Sequence, residues 1–396
     1  MKSKVLKVKV LKKVTFKIAI FLIIMSMINL LSFNVAIAEE ENAEELKEDK
    51  KQIDITALTS MNLEQAIEIA INNSVQCKID DINIALKEEA LRQAKENATF
   101  VGDAYGAERI LNNRIIKEVR PFEAEISLEI ARKTKEDNIN NLKANIKKAV
   151  QNLLMAQIEK EVETKRLDIL LERYDLMKGK LLQGVITEKD LVDLEFSIEN
   201  KRMDIVKAGE KIEIAENNIK KFLNLPFESK LIKINEIMKF ELIINMDVNK
   251  AVTSAINNST SIYKLVKDIE VKEKILELTG QYFPETNINY ITAKYNLEDT
   301  KAALDEAKLN LEVSVKNSYS NLLNLSDRVY LAERYLAIIG EKYNLAQIKY
   351  KNGLITTDAL ISAKEALLNA EYQRYVAIYN YNLGKIDFEA MCGLSN

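Results

Sequence analysis

The side chains that usually carry chemistry are scarce in this sequence and badly spaced for it. There is no histidine in 396 residues, so no imidazole is on hand as a general base at neutral pH. The two cysteines, Cys77 and Cys392, are too few and too distant for a zinc site. No Gly-x-Ser-x-Gly elbow, phosphate-binding glycine loop or dinucleotide fingerprint occurs. The carboxylate pairs Asp80-Asp81 and Glu88-Glu89 sit in lysine-interleaved helical sequence with no metal-loop context, the pattern of a solvated face. No catalytic residue, metal ligand or cofactor is therefore assigned. What does recur, with fixed residue types at fixed spacing, is a surface for recognition. Residues 172–191 read ERYDLMKGKLLQGVITEKDL and residues 341–360 read EKYNLAQIKYKNGLITTDAL, in register at an offset of 169 without a gap.

Each copy reads as a helix end, a glycine turn and a helix start. Gly184 and Gly353 supply the left-handed conformation that ends a helix at little cost. Thr187 and Thr356 follow as N-caps, and Thr187 with Asp190 three residues on approximates a capping box. The apolar pairs Val185-Ile186 and Leu354-Ile355 are unexpected in a tight surface turn. They either tuck back onto their own hairpin or form an apolar tip that meets a partner, and the second reading is preferred.

The elements that must hold these turns are long helices. Three prolines and ten glycines in the whole chain leave little to interrupt them. Apolar spacing predicts a helix over 122–182, about 90 Å long at 1.5 Å per residue, and an equally long one over 291–351. Neither can bury its stripe without helical neighbours. After each turn the apolar period is a heptad, Leu191, Leu194, Ile198 onward and Leu360, Ala363, Leu367 onward, each series broken once by a charge, at Lys201 and Arg374. That is a coiled-coil seam. The openings repeat too: MNLEQAIEIAINNS from Met61 and MDVNKAVTSAINNS from Met246, here at an offset of 185. Asn62 with Gln65 predicts a capping box at the first. The chain is thus an internal duplication, with 16 extra residues in the first copy. They belong in the interval 100–121, read as non-helical, whose counterpart is the shorter 280–290. These intervals are the far ends of the hairpins, opposite the glycine turns. The domain reading is a first helical repeat over 61–226, a partly extended connector over 227–245, and a second repeat over 246–396. The fold class is all-α: long antiparallel hairpins in tandem duplicated coiled-coil repeats.

The first 17 residues carry seven lysines and no acid, followed by the apolar run 18–31 and Ala36-Ile37-Ala38 before Glu39. Residues 1–38 read as a secretory signal with an Ala-x-Ala cleavage site; the run is short for the alternative, an uncleaved anchor. Residues 39–60 are an acid-rich lead-in, expected to be flexible. Loss of the signal takes the net charge from −3 to −10. An acidic chain with no basic patch speaks against nucleic acid. In an exported chain Cys77 and Cys392 are either disulfide partners or two small buried apolar residues.

The LEQAIEIAINNS opening, the duplication, the turns QGVITEKDL and NGLITTDAL, and the repeat endings KKFLNLP and EAMCGLS resemble the TolC-type outer-membrane efflux proteins, from about Leu63 to Leu394. The resemblance implies a homotrimer whose hairpins form a hollow α-barrel, with strands for a membrane β-barrel at the far ends. It implies that Gly184, Val185, Ile186, Thr187, Gly353, Leu354, Ile355 and Thr356 face an adaptor (membrane fusion) protein, and that an inner-membrane or ABC-type transporter completes the conduit. It also implies acids at the entrance of the second turn. The aligned positions hold Ala359 and Ser362, with Asp358 adjacent and Asp190 aligned on the first turn, so Asp190 and Asp358 are the candidate pore-entrance residues. One departure is clear. A spanning strand pair with its turn needs roughly 20–25 residues; the second far end is too short and the first too charged, at Glu108-Arg109, Arg114 and Lys117-Glu118. The membrane strands are expected to be reduced or absent, and outer-membrane insertion rests on the resemblance alone. Two functions compete: an efflux or secretion duct, and a non-conducting coiled-coil scaffold of the envelope.

Overall fold

A computed structural model describes residues 60–228, 233–234, 236–242 and 247–394. Residues 1–38, expected to be a signal, the lead-in up to residue 59, parts of the connector and Met246 lie outside the described residues. Helix α1 (Leu63–Asn73) opens on the capping box read from sequence: Asn62 Oδ1 accepts from the Gln65 amide at 2.8 Å, and the Asn62 amide donates to Gln65 Oε1 at 3.0 Å. Ser74 is extended, ends α1, and caps α2 (Val75–Thr99) by accepting from the Cys77 amide at 3.2 Å. Then come α3 (Ala107–Arg114), a π-helical turn (Ile115–Val119), α4 (Arg120–Leu182) and α5 (Glu188–Leu223). The second half repeats the plan with α6 (Val248–Asn258), α7 (Thr260–Tyr282), α8 (Ile288–Lys351) and α9 (Thr357–Cys392). A two-residue strand β1 (Ser60–Met61) pairs in parallel with β2 (Lys233–Ile234).

The 63 residues of α4 span about 95 Å. No helix of that length is buried by one partner, and α4 has two on its own repeat: α2 along the far half and α5 along the half that ends at the turn. The 64-residue α8 is flanked in the same way by α7 and α9. The flanking helices meet end to end, and both copies solve the junction alike. Asn73 donates to the Leu223 carbonyl at 3.0 Å; Asn258, 185 residues on, donates to the Cys392 carbonyl at 3.3 Å. The chain then turns left-handed at Asn224 (φ 53°) and at Gly393 (φ 66°), again 169 apart. The side chain of Asn224 returns a bond to the Asn73 carbonyl at 3.4 Å. At Gly393 a Cβ would sit 2.4 Å from Asn258, so only glycine fits there.

The seam of α5 follows the heptad: Ile198, Ala208, Ala215 and Ile219 are buried. The two charged interruptions are met across it by the long helices, Lys201 by Glu163 at 2.8 Å and Arg374 by Glu333 at 3.3 Å. Helix α9 departs from a single seam. Ala370, Tyr381 and Phe388 are buried as the heptad predicts, but so are Ile361, Leu368 and Ile386 on a second face, and Met391 of the predicted series is exposed. The second face meets α4, where Ile361 and Leu368 form a core with Val162 and Ile169. The two repeats are joined there and at the far end, where Val119 and Ile126 pack on Val271 and Leu278. The described part of the connector is irregular beyond β2 and touches both repeats: Phe240 makes edge contacts with Tyr330 and Tyr381, Tyr381 donates to the Glu241 carbonyl at 3.1 Å, and Glu236 accepts from the Leu63 amide of the first repeat at 3.1 Å.

The far ends correct one expectation. Residues 100–106 are irregular, but 107–121, read as non-helical, are helix. The reason is an apolar face, Leu111, Ile115, Val119 and Phe122, laid against Ile275 and its neighbours on α7. The π-helical turn just before Pro121 suits a residue with no amide to donate back along the helix. The counterpart shrinks to the turn 283–287 between α7 and α8. Neither far end carries a strand. Cys77 and Cys392 are unbonded and buried, which decides between the two readings of these residues, and burial pushes the Cys392 thiol up to about 11.

Candidate docking site at the hairpin tips

The two turns are built alike, atom for atom in the backbone. At the first, the Gly184 amide donates to the Leu181 carbonyl at 2.9 Å and the Val185 amide reaches back to Lys180 at 3.0 Å; at the second, Gly353 donates to Tyr350 at 2.9 Å and Leu354 to Lys349 at 2.8 Å. These are the crossed bonds of a Schellman motif. Gly184 (φ 69°) and Gly353 (φ 70°) hold the left-handed position, and no atom lies within 4 Å of where their Cβ would be. The glycines are needed for the torsion and not for space. The threonines start the return helices. Thr187 Oγ1 accepts from the Asp190 amide at 3.4 Å while Asp190 accepts from the Thr187 amide at 2.9 Å and its hydroxyl at 2.7 Å. Thr356 accepts from the Ala359 amide at 3.2 Å, with no carboxylate to answer.

The apolar pairs divide their roles. Ile186 and Ile355 fold partly back onto their hairpins, whereas Val185 and Leu354 stand out at 66% and 71% exposure. Each turn thus holds one of its paired aliphatic side chains in solvent, and at the first the last residue of α4, Leu182, is exposed as well. The acids named as pore-entrance candidates both have local partners. The Thr187 hydroxyl and amide hold Asp190 below the usual carboxylate range. Asp358 is ion-paired with Lys180 on α4. That pair, with Lys364–Glu172 at 2.7 Å and Arg173–Glu365 at 3.4 Å, ties α9 to α4 and fixes the two turns of the chain side by side.

A feature the heptad reading missed runs along both outer edges of the molecule. The buried α4–α9 face is matched, 169 residues away, by faces left open. Val162 is 5% exposed and its equivalent Leu331 is 69%; Ile169 is 3% exposed and its equivalent Ile338 is 50%. On the other edge, buried Ile361 corresponds to exposed Val192, and Tyr372, packed beside Leu368, corresponds to exposed Met203. Phe196, Val206 and Ile214 continue this apolar stripe along α5. The signal was in the sequence as apolar residues outside the seam.

Long hairpins bury one edge inside the chain and leave the matching edges open, and the chain has the protomer fold of the TolC-type outer-membrane channels. Among solved structures it is similar to CusC, a protein that forms a transmembrane channel (TM-score 0.65, 12% identity, 85% of this chain and 92% of that one). It is also similar to the outer membrane protein VceC of Vibrio cholerae (0.63, 12%, 84% and 96%) and to the CmeC outer membrane channel of Campylobacter jejuni (0.62, 12%, 84% and 85%). No family model and no curated protein matches the sequence. Among the described residues no group of metal-ligating side chains comes together and no helix is long and apolar enough to cross a membrane.

Proposed function

We propose that the chain is a transport conduit of the outer-membrane efflux type. It is exported by residues 1–38 to the cell envelope and assembles as a homotrimeric α-helical duct from its two repeats, 61–226 and 246–396. It docks through Gly184–Thr187 and Gly353–Thr356 to an adaptor (membrane fusion) protein, with an inner-membrane or ABC-type transporter as the source of cargo. It is not an enzyme and has no role for a cofactor or a nucleic acid. The observation that carries this reading is the pair of open edges. The stripe on α5 and the stripe on α8 are the repeat-equivalents of a joint already made between α9 and α4, three of its four core residues staying apolar and the fourth, Leu368, becoming Glu199, so a second copy laid against either edge has a joint of the same shape. A heterologous step of this kind closes into a ring when the rotation permits. The likeness in fold to outer membrane channels supports the same reading, and so do two apolar side chains held out on rigid turns. Asp190 and Asp358 stand at this end of the duct; a cation there would compete with a helix cap and an ion pair. A second reading, a non-conducting scaffold of the envelope, is favoured by the strandless far ends.

The first test is the mass of the processed chain in light scattering without detergent. A concentration-dependent trimer supports the ring, and a monomer at every concentration favours the scaffold. The second is capture of an adaptor by the tips. Val185→Asp with Leu354→Asp is expected to abolish capture with helix content unchanged; unaltered capture would remove the docking role.

A further inference from the structure

The two joints of such a ring do not have the same chemistry, although the repeats make them alike in shape. Within the chain, the turn end of the α4–α9 joint is held by Lys180–Asp358, Glu172–Lys364 and Arg173–Glu365. Moving each residue to its repeat-equivalent gives the contacts made between α8 of one copy and α5 of the next. Lys180 becomes Lys349 and Asp358 becomes Lys189, so a cation meets a cation. Glu172 becomes Glu341 and Lys364 becomes Glu195, so an anion meets an anion. Arg173 becomes Lys342 and Glu365 becomes Phe196, and no ion pair remains. Farther from the turns, the same shift replaces Arg166 over the Tyr372 ring by Tyr335 and Met203, an apolar contact. The joint between copies is therefore self-repelling at the turns and mixed beyond them, since buried Leu368 becomes the exposed Glu199.

We infer that the turn end of the ring is locked within each chain and repelled between chains, so that it parts at the joints between copies while the two turns of one chain move as a unit. This rests on the ring reading above. It concerns which joint gives way, and it makes ionic strength a control on the opening, since charges at an exposed rim are screened within about 8–10 Å at physiological salt.

Charge reversal on one side of the new joint tests it. Lys189→Glu with Glu195→Lys turns both like-charge contacts into opposite pairs. At low ionic strength the half-assembly concentration of the exported chain, read by light scattering, is expected to fall about three- to tenfold, and the gain to vanish at high salt. Oxidative cross-linking gives a second readout, since both native cysteines are buried. The pair Arg173→Cys with Glu365→Cys, which leaves the other two ion pairs in place, is expected to close readily within a chain without linking chains. The equivalent pair Lys342→Cys with Phe196→Cys, which leaves both like-charge contacts in place, is expected to link chains slowly, and faster as salt is raised. An unchanged or raised half-assembly concentration in the charge-reversed variant, or equally fast closure of both cysteine pairs, overturns the inference while the ring stands. Absence of any assembly overturns both.

Discussion

At the scale of residues, the molecule resolves its few awkward groups by pairing them. Lys201 breaks an apolar seam, and Glu163, buried on α4, accepts from it at 2.8 Å and also from Arg166. Removing the carboxylate leaves Lys201 with Asp204 at 2.9 Å and Arg166 with Asn369 at 2.7 Å. Glu163→Gln is expected to lower stability by about 1–2 kcal/mol in urea unfolding. Glu333, which answers Arg374 in the second copy, is more exposed, and Glu333→Gln is expected to cost less than about 1 kcal/mol. The caps of the return helices respond differently to pH. Asp190 titrates lower folded than unfolded, so its contribution is complete above the unfolded carboxylate pKa and is lost as the pH falls through the folded value. Amide exchange in the first turn of α5 should therefore quicken at acid pH. The start of α9, capped by Thr356 and with Ala359 in place of the acid, should change much less. Equal responses would show that the carboxylate does not hold the cap.

At the scale of elements, the turns are the most determined pieces of the chain. With φ near 70° and open space around the missing Cβ, Gly184→Ala or Gly353→Ala is expected to cost about 1–2 kcal/mol of strain without any clash, and Asn, which tolerates that region, clearly less. Thermal unfolding of the four variants would check the order. These turns were legible in the sequence because glycine, threonine and their spacing are local chemistry, and so were the Asn62–Gln65 box and the α5 seam. Helix α3 was not. The interval 100–121 holds the extra residues of the first copy and reads as non-helical on that ground, and the apolar face Leu111, Ile115, Val119 acquires meaning only against α7. The second buried face of α9 was hidden for a similar reason. A heptad explains one stripe, and nothing local says that Ile361, Leu368 and Ile386 have α4 beside them while Val192 and Met203 have nothing.

At the scale of the whole molecule, the open edges make a prediction independent of the turns. Met203→Asp on α5 or Ile338→Asp on α8 is expected to raise the half-assembly concentration at least tenfold, as for a hot spot worth more than about 1.4 kcal/mol, with far-ultraviolet dichroism unchanged. Assembly unaffected by both would place the joint elsewhere. The end-to-end junctions beside Asn73 and Asn258 bear on how such a molecule carries load. At that height the flanking helices are interrupted in both repeats, and α4 and α8 alone run through. A pull or twist applied at the turns crosses this waist along two unbroken helices, and in the second repeat also through a buried core in which Phe388 and Cys392 of α9 meet Ala251 and Ala255 of α6 and Val315 of α8. The chain is mechanically a lever whose two turns swing together about this waist, stiffer on the side of the second repeat.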